Sequence, residues 1–365
     1  MTAALAEFHD ELRAVARDLL APTSPLVTGG DPVAADWRRL AQAGWPGLEV
    51  PEAQGGAGAS LAEVAVVLEE VGRAATASPL LGAVLAVGAL RLVEPSTERD
   101  ELLAGIAAGD VRAAVALPTG ARDGVAGPLP FRVEDAGGRA RLVGRAPFVP
   151  DAPGAGRILV VAADPSSGPV LVDVAPGAGV AVAPTPVVDA TRSLAEVTAD
   201  GTPVGGDRCW RLAGDPRDLL ARGAVAIALD SVGLAQAALD ATVAYATERR
   251  QFGRAIGSFQ AVKHQCADVA VELTVSRRLV ADAVERLVRG AKDAEVAVSM
   301  AKAHAVETAV AATGTAIQLH GGIGYTWERG LHVLLKRAAL NRSLFGSPTA
   351  HRARLAHRYA ALATM

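Results

Sequence analysis

Two short stretches of this 365-residue chain gather groups suited to holding a phosphate. In Glu248-Arg249-Arg250-Gln251-Phe252-Gly253, Arg249 offers a fixed cation, Gln251 an amide donor, Phe252 an apolar face and Gly253 a place for the chain to turn, all at the end of a long helical pattern. In Gln318-Leu319-His320-Gly321-Gly322, two successive glycines let backbone N–H groups approach phosphate oxygens closely. Taken alone, Arg249 reads as a helix-end cation balancing the macrodipole; the two motifs together turn the reading toward an anion site. Asp230 stands alone in the apolar run GAVAIALDSVGLAQAAL, where burial would raise its pKa toward that of a useful base. The competing reading is a buried aspartate paired with an arginine or a backbone donor. His320 lies beside the glycines and suits a positional role as well as acid/base work. Lys263, His264, Lys302 and His304 fall on periodic helices, where solvated faces or subunit contacts account for them.

These groups must be positioned by three segments of different texture. Residues 1–111 are helical in pattern, with an amphipathic first helix, a segment opening at Asp36-Trp37 and another from Ser60 to Ala74, separated by a Pro/Gly loop from Val50 to Gly58. Residues 112–214 break into short apolar runs between Gly, Pro and Asp clusters, including 139–149, 157–163 and 169–174; about seven strands without intervening helices predict an antiparallel sandwich or barrel. After Asp215-Pro216 the helical period returns over 215–365, with long segments near 218–249, 260–289 and 293–319 and a shorter pair beyond Trp327. The fold class is α+β, in the order helices, sheet, helix bundle.

Composition excludes several classes. A net charge of −3 gives no electrostatic basis for nucleic-acid binding. The two cysteines, Cys209 and Cys266, lie far apart without metal-ligand spacing and read as reduced thiols, so neither a metal site nor a disulfide framework is expected. The apolar stretch from Pro79 to Leu90 is too short to cross a bilayer, which takes about 18 residues or more, and reads as a buried helix. A cytoplasmic protein is the expectation.

The string from Tyr245 to Val269, YATERRQFGRAIGSFQAVKHQCADV, and QLHGGIGYTWE from Gln318 to Glu328 resemble the acyl-CoA dehydrogenase family, as does the segment from Trp37 to Ala74. The resemblance covers nearly the whole chain and is weakest through the β segment. It implies FAD, with Arg249, Gln251, Phe252, Gln260, Gln318, Gly321 and Gly322 reaching across a subunit interface to a flavin held mainly by a neighbouring chain. It also implies an acyl-CoA substrate and an electron-transfer flavoprotein as acceptor. Three departures follow from the same comparison. The family's usual glutamate falls on Phe345, and its alternative position falls near Gly223; neither side chain can abstract a proton. Its flavin-contacting tryptophan and threonine segment corresponds to Pro147-Phe148-Val149-Pro150, and Pro150 has neither hydroxyl nor N–H. Its flavin loop corresponds loosely to Leu117 to Asp123.

The expectation is therefore one subunit of a heterotetrameric acyl-CoA dehydrogenase whose second, dehydrogenase-like subunit holds the base, similar to actinobacterial enzymes of sterol side-chain degradation. Two alternatives are a catalytically silent scaffold or binding protein of the same fold, and a self-sufficient homo-oligomer using Asp230 or another unconventional base.

Overall fold

The computed structural model describes residues 3–117, 128–135, 139–177 and 179–363. The helices are α1 (Ala3–Leu20), α2 (Pro25–Thr28), α3 (Trp37–Gln42), α4 (Leu61–Ala74), α5 (Leu80–Leu90), α6 (Thr97–Ala107), α7 (Pro216–Glu248), α8 (Gln260–Val288), α9 (Ala294–His320), α10 (Leu331–Asn341) and α11 (Pro348–Ala363). Local chemistry sets their starts. Asp36 caps α3 through Arg38 N, and Ser60 with Glu63 forms a capping box on α4. Ser96 caps α6, while Asp215 caps α7 with Pro216 in its first turn.

The strands β1 (Ala113–Ala116), β2 (Phe131–Asp135), β3 (Ala140–Pro150), β4 (Arg157–Asp164), β5 (Gly168–Val174), β6 (Val180–Pro184), β7 (Leu194–Pro203) and β8 (Cys209–Arg211) form one sheet. Its order is β6-β7-β3-β2-β4-β5-β8, with β1 also alongside β4. The expected all-antiparallel arrangement is corrected to a mixed sheet, because β1 and β2 both pair with β4 in parallel. The cause is topological: β2 and β3 form an antiparallel pair, and the chain then returns to the free edge of β2 rather than continuing beside β3. The unbroken apolar run of β4 has a direct explanation. Ile158, Val160 and Ala162 join the core inside the β segment, while Leu159 and Val161 join the larger core shared with the helices. A strand buried on both faces loses the usual polar alternation.

Two helices dominate the junction of sheet and bundle. All eleven residues of α5 are buried, and at its start Ser78 Oγ accepts from Leu80 N at 3.1 Å. Asp151, on the loop after β3, adds a second cap from a distant part of the chain, accepting from Gly82 N at 2.8 Å. α7 is long and apolar enough to resemble a membrane-crossing helix, but 78% of its most apolar window is buried inside the protein. It packs against α4 at very short range. A Cβ on Gly72 would lie 2.1 Å from Asp230 O, and one on Gly233 would lie 2.0 Å from Glu69 O, so the crossing requires both glycines.

The Asp151 cap carries a cost. Burial, opposed by the Gly82 hydrogen bond and by Arg192 and Arg337, raises its carboxyl from 3.8 to about 6. A carboxyl raised in the fold stabilises below its unfolded value and loses that contribution as pH climbs through the folded one, here from about 4 to about 6. At about 1.4 kcal/mol per decade, the charged form is disfavoured by about 3 kcal/mol at pH 7. Asp151→Asn keeps an acceptor for Gly82 N and should raise the urea midpoint at pH 7.5 while changing little at pH 4. A variant less stable than wild type at both pH values would contradict this account.

Candidate functional site

The two phosphate-type motifs come together on one surface. α7 ends at Glu248, and Arg249 leaves it in extended conformation. Arg250–Gln251 and Arg254–Ala255 then form a two-stranded hairpin, β9 and β10. Its turn residues, Phe252 (φ 50°) and Gly253 (φ 79°), both take positive φ, as a tight two-residue hairpin demands. Phe252 is 91% exposed and presents its edge to Phe259, over which Arg254 also lies. Arg249, Gln251 and Gln260 are exposed.

The second motif closes α9. His320 is buried, donates from Nδ1 to Ala316 O at 2.7 Å, and stacks on Tyr245 of α7 with ring centroids 4.3 Å apart. Burial, only partly offset by that carbonyl, holds its pKa below the ordinary value, so at neutral pH it is an uncharged packing and positioning group. Gly321 takes φ 64° at the helix end, and a Cβ on either Gly321 or Gly322 would meet nothing within 4 Å. Gln318 is exposed beside them. The Tyr245–His320 stack therefore joins an open glycine loop to the arginine-rich end of α7. Such a surface suits a phosphate ester with an aromatic base.

The opposite arrangement holds at the positions of a base. Phe345 is 3% exposed and belongs to the main core. Its ring lies on Gly223, where a Cβ would come within 2.3 Å of it, so the two positions fill one another. Phe345 (φ 54°) and Gly346 (φ 97°) form a left-handed turn held from behind. Lys302 Nζ donates to Asn341 O at 2.8 Å and Gly346 O at 3.1 Å, and His351 Nε2 donates to Phe345 O at 3.0 Å. Burial and the positive charges of Lys302 and Arg354 lower His351 to about 3, so its Nδ1 is free to accept from Ser299. A cavity of about 340 Å³ between α7, α9 and α11 is lined by Ser299 and Arg354, but its lining stops short of Gly223, Phe345 and Asp230.

Two sequence expectations are corrected here. Asp230 is not raised toward a base: burial alone would raise it, but Arg192 and Arg337 with Asn341 hold it down to about 2. Arg337 Nη2 donates to its Oδ1 at 2.5 Å, Asn341 Nδ2 to its Oδ2 at 2.7 Å, and Arg192 Nη2 lies 3.0 Å from Oδ2. No oxygen is left to take a proton from a substrate. Arg337 also donates to Thr76 O and Thr191 Oγ1, tying the N-terminal helices and the sheet segment to the bundle. Lys302, read as a solvated helix position, is fully buried, and burial with Arg342 nearby lowers it to about 7. Its signal in the sequence was the apolar face it shares with Val298, Ala301 and Ala305. Arg337 was missed although it shares the buried face of α10 with Val333, Leu334, Ala338 and Asn341.

On the sheet side, Phe148 (φ 55°) is 46% exposed at an irregularity in the β3–β7 pairing. The adjoining Val149 and Pro150 are buried, and Pro150 has no N–H to donate. Of the segment from Leu117 to Asp123, Leu117 is buried, and 118–123 lie outside the described residues. The two cysteines are free, and no group of His, Cys, Asp and Glu suited to a metal ion occurs among the described residues.

The family described as "Acyl-CoA dehydrogenase, N-terminal domain" matches residues 2–110, and "Acyl-CoA dehydrogenase, C-terminal domain" matches 216–360. "Acyl-CoA dehydrogenase IpdE2" of Mycolicibacterium smegmatis is 34% identical over 313 residues, 86% of this chain and 84% of the relative. Among solved structures, a variant of the "Tcur3481-Tcur3483 steroid ACAD" is 32% identical with a TM-score of 0.85, covering 99% of this chain and 100% of that one. The "ChsE4-ChsE5 complex" from Mycobacterium tuberculosis is 26% identical with a TM-score of 0.86, covering 99% and 98%.

Proposed function

Because the chain belongs to the acyl-CoA dehydrogenase family, oxidoreductases acting on the CH–CH bond of an acyl-CoA thioester, we propose that it is the subunit of a heteromeric dehydrogenase that lends flavin contacts while its partner supplies the base. One observation carries this reading. The position of the base is packed shut by Phe345 on Gly223, whereas the groups suited to a flavin dinucleotide stand open on a different surface.

FAD is the cofactor of this reading, and when bound it accepts hydride from the substrate β-carbon. The fit to this chain is one-sided. Arg249 and the open backbone of Gly321 and Gly322 suit the pyrophosphate, Gln251, Gln260 and Gln318 offer amide donors, and Phe252 offers an apolar face. The chain's own sheet offers Pro150 where a donor is needed, which leaves the flavin ring to the partner. Further support comes from α8: from Gln260 to Glu272 no residue is fully buried, Val271 is 61% exposed and Phe252 91%, a surface suited to another chain. Two solved relatives are themselves named as pairs of unlike chains and one as a steroid enzyme, which favours a bulky sterol-type thioester. An electron-transfer flavoprotein completes the scheme as acceptor.

The test is flavin content. Purified alone, the chain should retain little FAD; co-purified with a second family chain carrying the glutamate, it should form a complex with bound FAD. Full flavin occupancy and turnover by the chain alone would overturn the proposal. Within such a complex Arg249→Ala should remove charge-assisted contacts of roughly 1.5–3 kcal/mol and weaken FAD retention at least about tenfold. Unchanged retention would remove Arg249 from the site and favour a silent scaffold of the same fold.

A further inference from the structure

A second cavity, of about 440 Å³, opens where the end of α5, the start of α7 and the end of α8 meet. This size lies within the range of small-ligand pockets, about 300–1,000 Å³. Much of its wall is apolar, made by Leu61, Leu92, Leu219, Leu287 and Val288. Its polar part includes Ser60, Asp218 and two guanidinium groups on one carboxylate. Glu49 is 6% exposed and accepts from both Nη atoms of Arg222, at 3.3 Å for Nη1, and from Arg91 Nη1 at 3.0 Å.

The fold makes room for this arrangement. Arg222 passes between α5 and α7 and donates from Nε to Val84 O at 3.1 Å; a Cβ on Gly88 would lie 2.5 Å from that Nε. A glycine inside a helix costs about 1 kcal/mol relative to alanine, and at Gly88 the missing side chain is what admits the arginine. Glu49 neutralises one of the two cations. The Arg91 side chain is 44% exposed, so part of its guanidinium remains open to solvent. Asp218, the other acid in the lining, makes no ion pair with either arginine among the described residues, both of which turn to Glu49 instead.

We propose that this cavity binds a small organic acid with an apolar body, its carboxylate on Arg91 and Arg222 and its body against the leucines. None of the flavin-contacting residues lines this cavity.

Octanoate and 1-octanol share an apolar body and differ in the head, so calorimetric titration of the full chain with each isolates the role of charge. Octanoate should bind saturably, and octanol at least about tenfold more weakly, as loss of a charge-assisted hydrogen bond predicts. Arg91→Gln should weaken octanoate by about tenfold. Val288→Trp alters a 45% exposed wall position without touching the Arg222–Glu49 pair, and should abolish binding by filling the space. Circular dichroism confirms that each variant is folded, and the tryptophan variant decides the matter if Arg91→Gln is not. Equal affinity for the two probes, octanoate binding unchanged in Val288→Trp, or no saturable binding at millimolar octanoate would each overturn the proposal.

Discussion

Phe345→Glu is expected to cost roughly 3–5 kcal/mol of stability and to create no dehydrogenase activity. The ring is 3% exposed and fills the space over Gly223, so its removal opens a void between α7 and the turn before α11. The new carboxylate would be buried there, and burial of an unpaired charge adds its own penalty. That second part depends on pH. A buried glutamate has its pKa raised, so the loss should be smaller near pH 5, where the side chain can take a proton, and larger at pH 8. Urea midpoints at the two pH values measure both parts. Near-native stability together with new turnover would mean that the position faces a wet substrate cavity.

Arg337→Met should also cost roughly 3–5 kcal/mol, because removing one partner of a buried ion pair leaves the other uncompensated. Asp230 would keep only Arg192 and Asn341, and Thr76 O and Thr191 Oγ1 would each lose a donor. The complementary test is a pH profile. A carboxyl lowered from 3.8 to about 2 contributes stability that is present above about pH 4 and lost as pH falls through about 2. That contribution is on the order of 2 kcal/mol at neutral pH. Wild-type protein should therefore lose stability between pH 4 and 2 in a component that Asp230→Asn lacks. Superimposable acid profiles would remove the ion pair from this account, as would a dehydrogenase activity that Asp230→Asn selectively abolishes.

The two results would together describe a centre turned from chemistry to structure. Arg337 and Arg192 meet Asp230 at the point where the N-terminal helices, the sheet segment and the bundle converge, and Phe345 closes the adjoining space. Lys302 and His351 keep the 341–346 turn in its strained form even though that turn carries no base.

Most of the helices were legible in the sequence because their signals are local. Asp36, the Ser60–Glu63 box and Asp215-Pro216 mark starts through side chains that bond their own first turns, and the long helical patterns after residue 215 mark α7, α8 and α9, though not which of their positions are covered, Lys302 among them. The glycines and arginine of the two phosphate-type motifs were readable for the same reason, since backbone freedom and fixed charge belong to residue types. What tertiary structure alone decided concerns pairs distant in sequence. The parallel edge of β4 depends on where the chain returns after β3, which no strand encodes within itself. The sign of the Asp230 shift depends on Arg192, 38 positions earlier, and Arg337, 107 later; burial without them would have raised the pKa rather than lowered it. Gly223 and Phe345 each lack an ionisable group by type, but only their contact closes the space between them, because packing is a property of both residues at once.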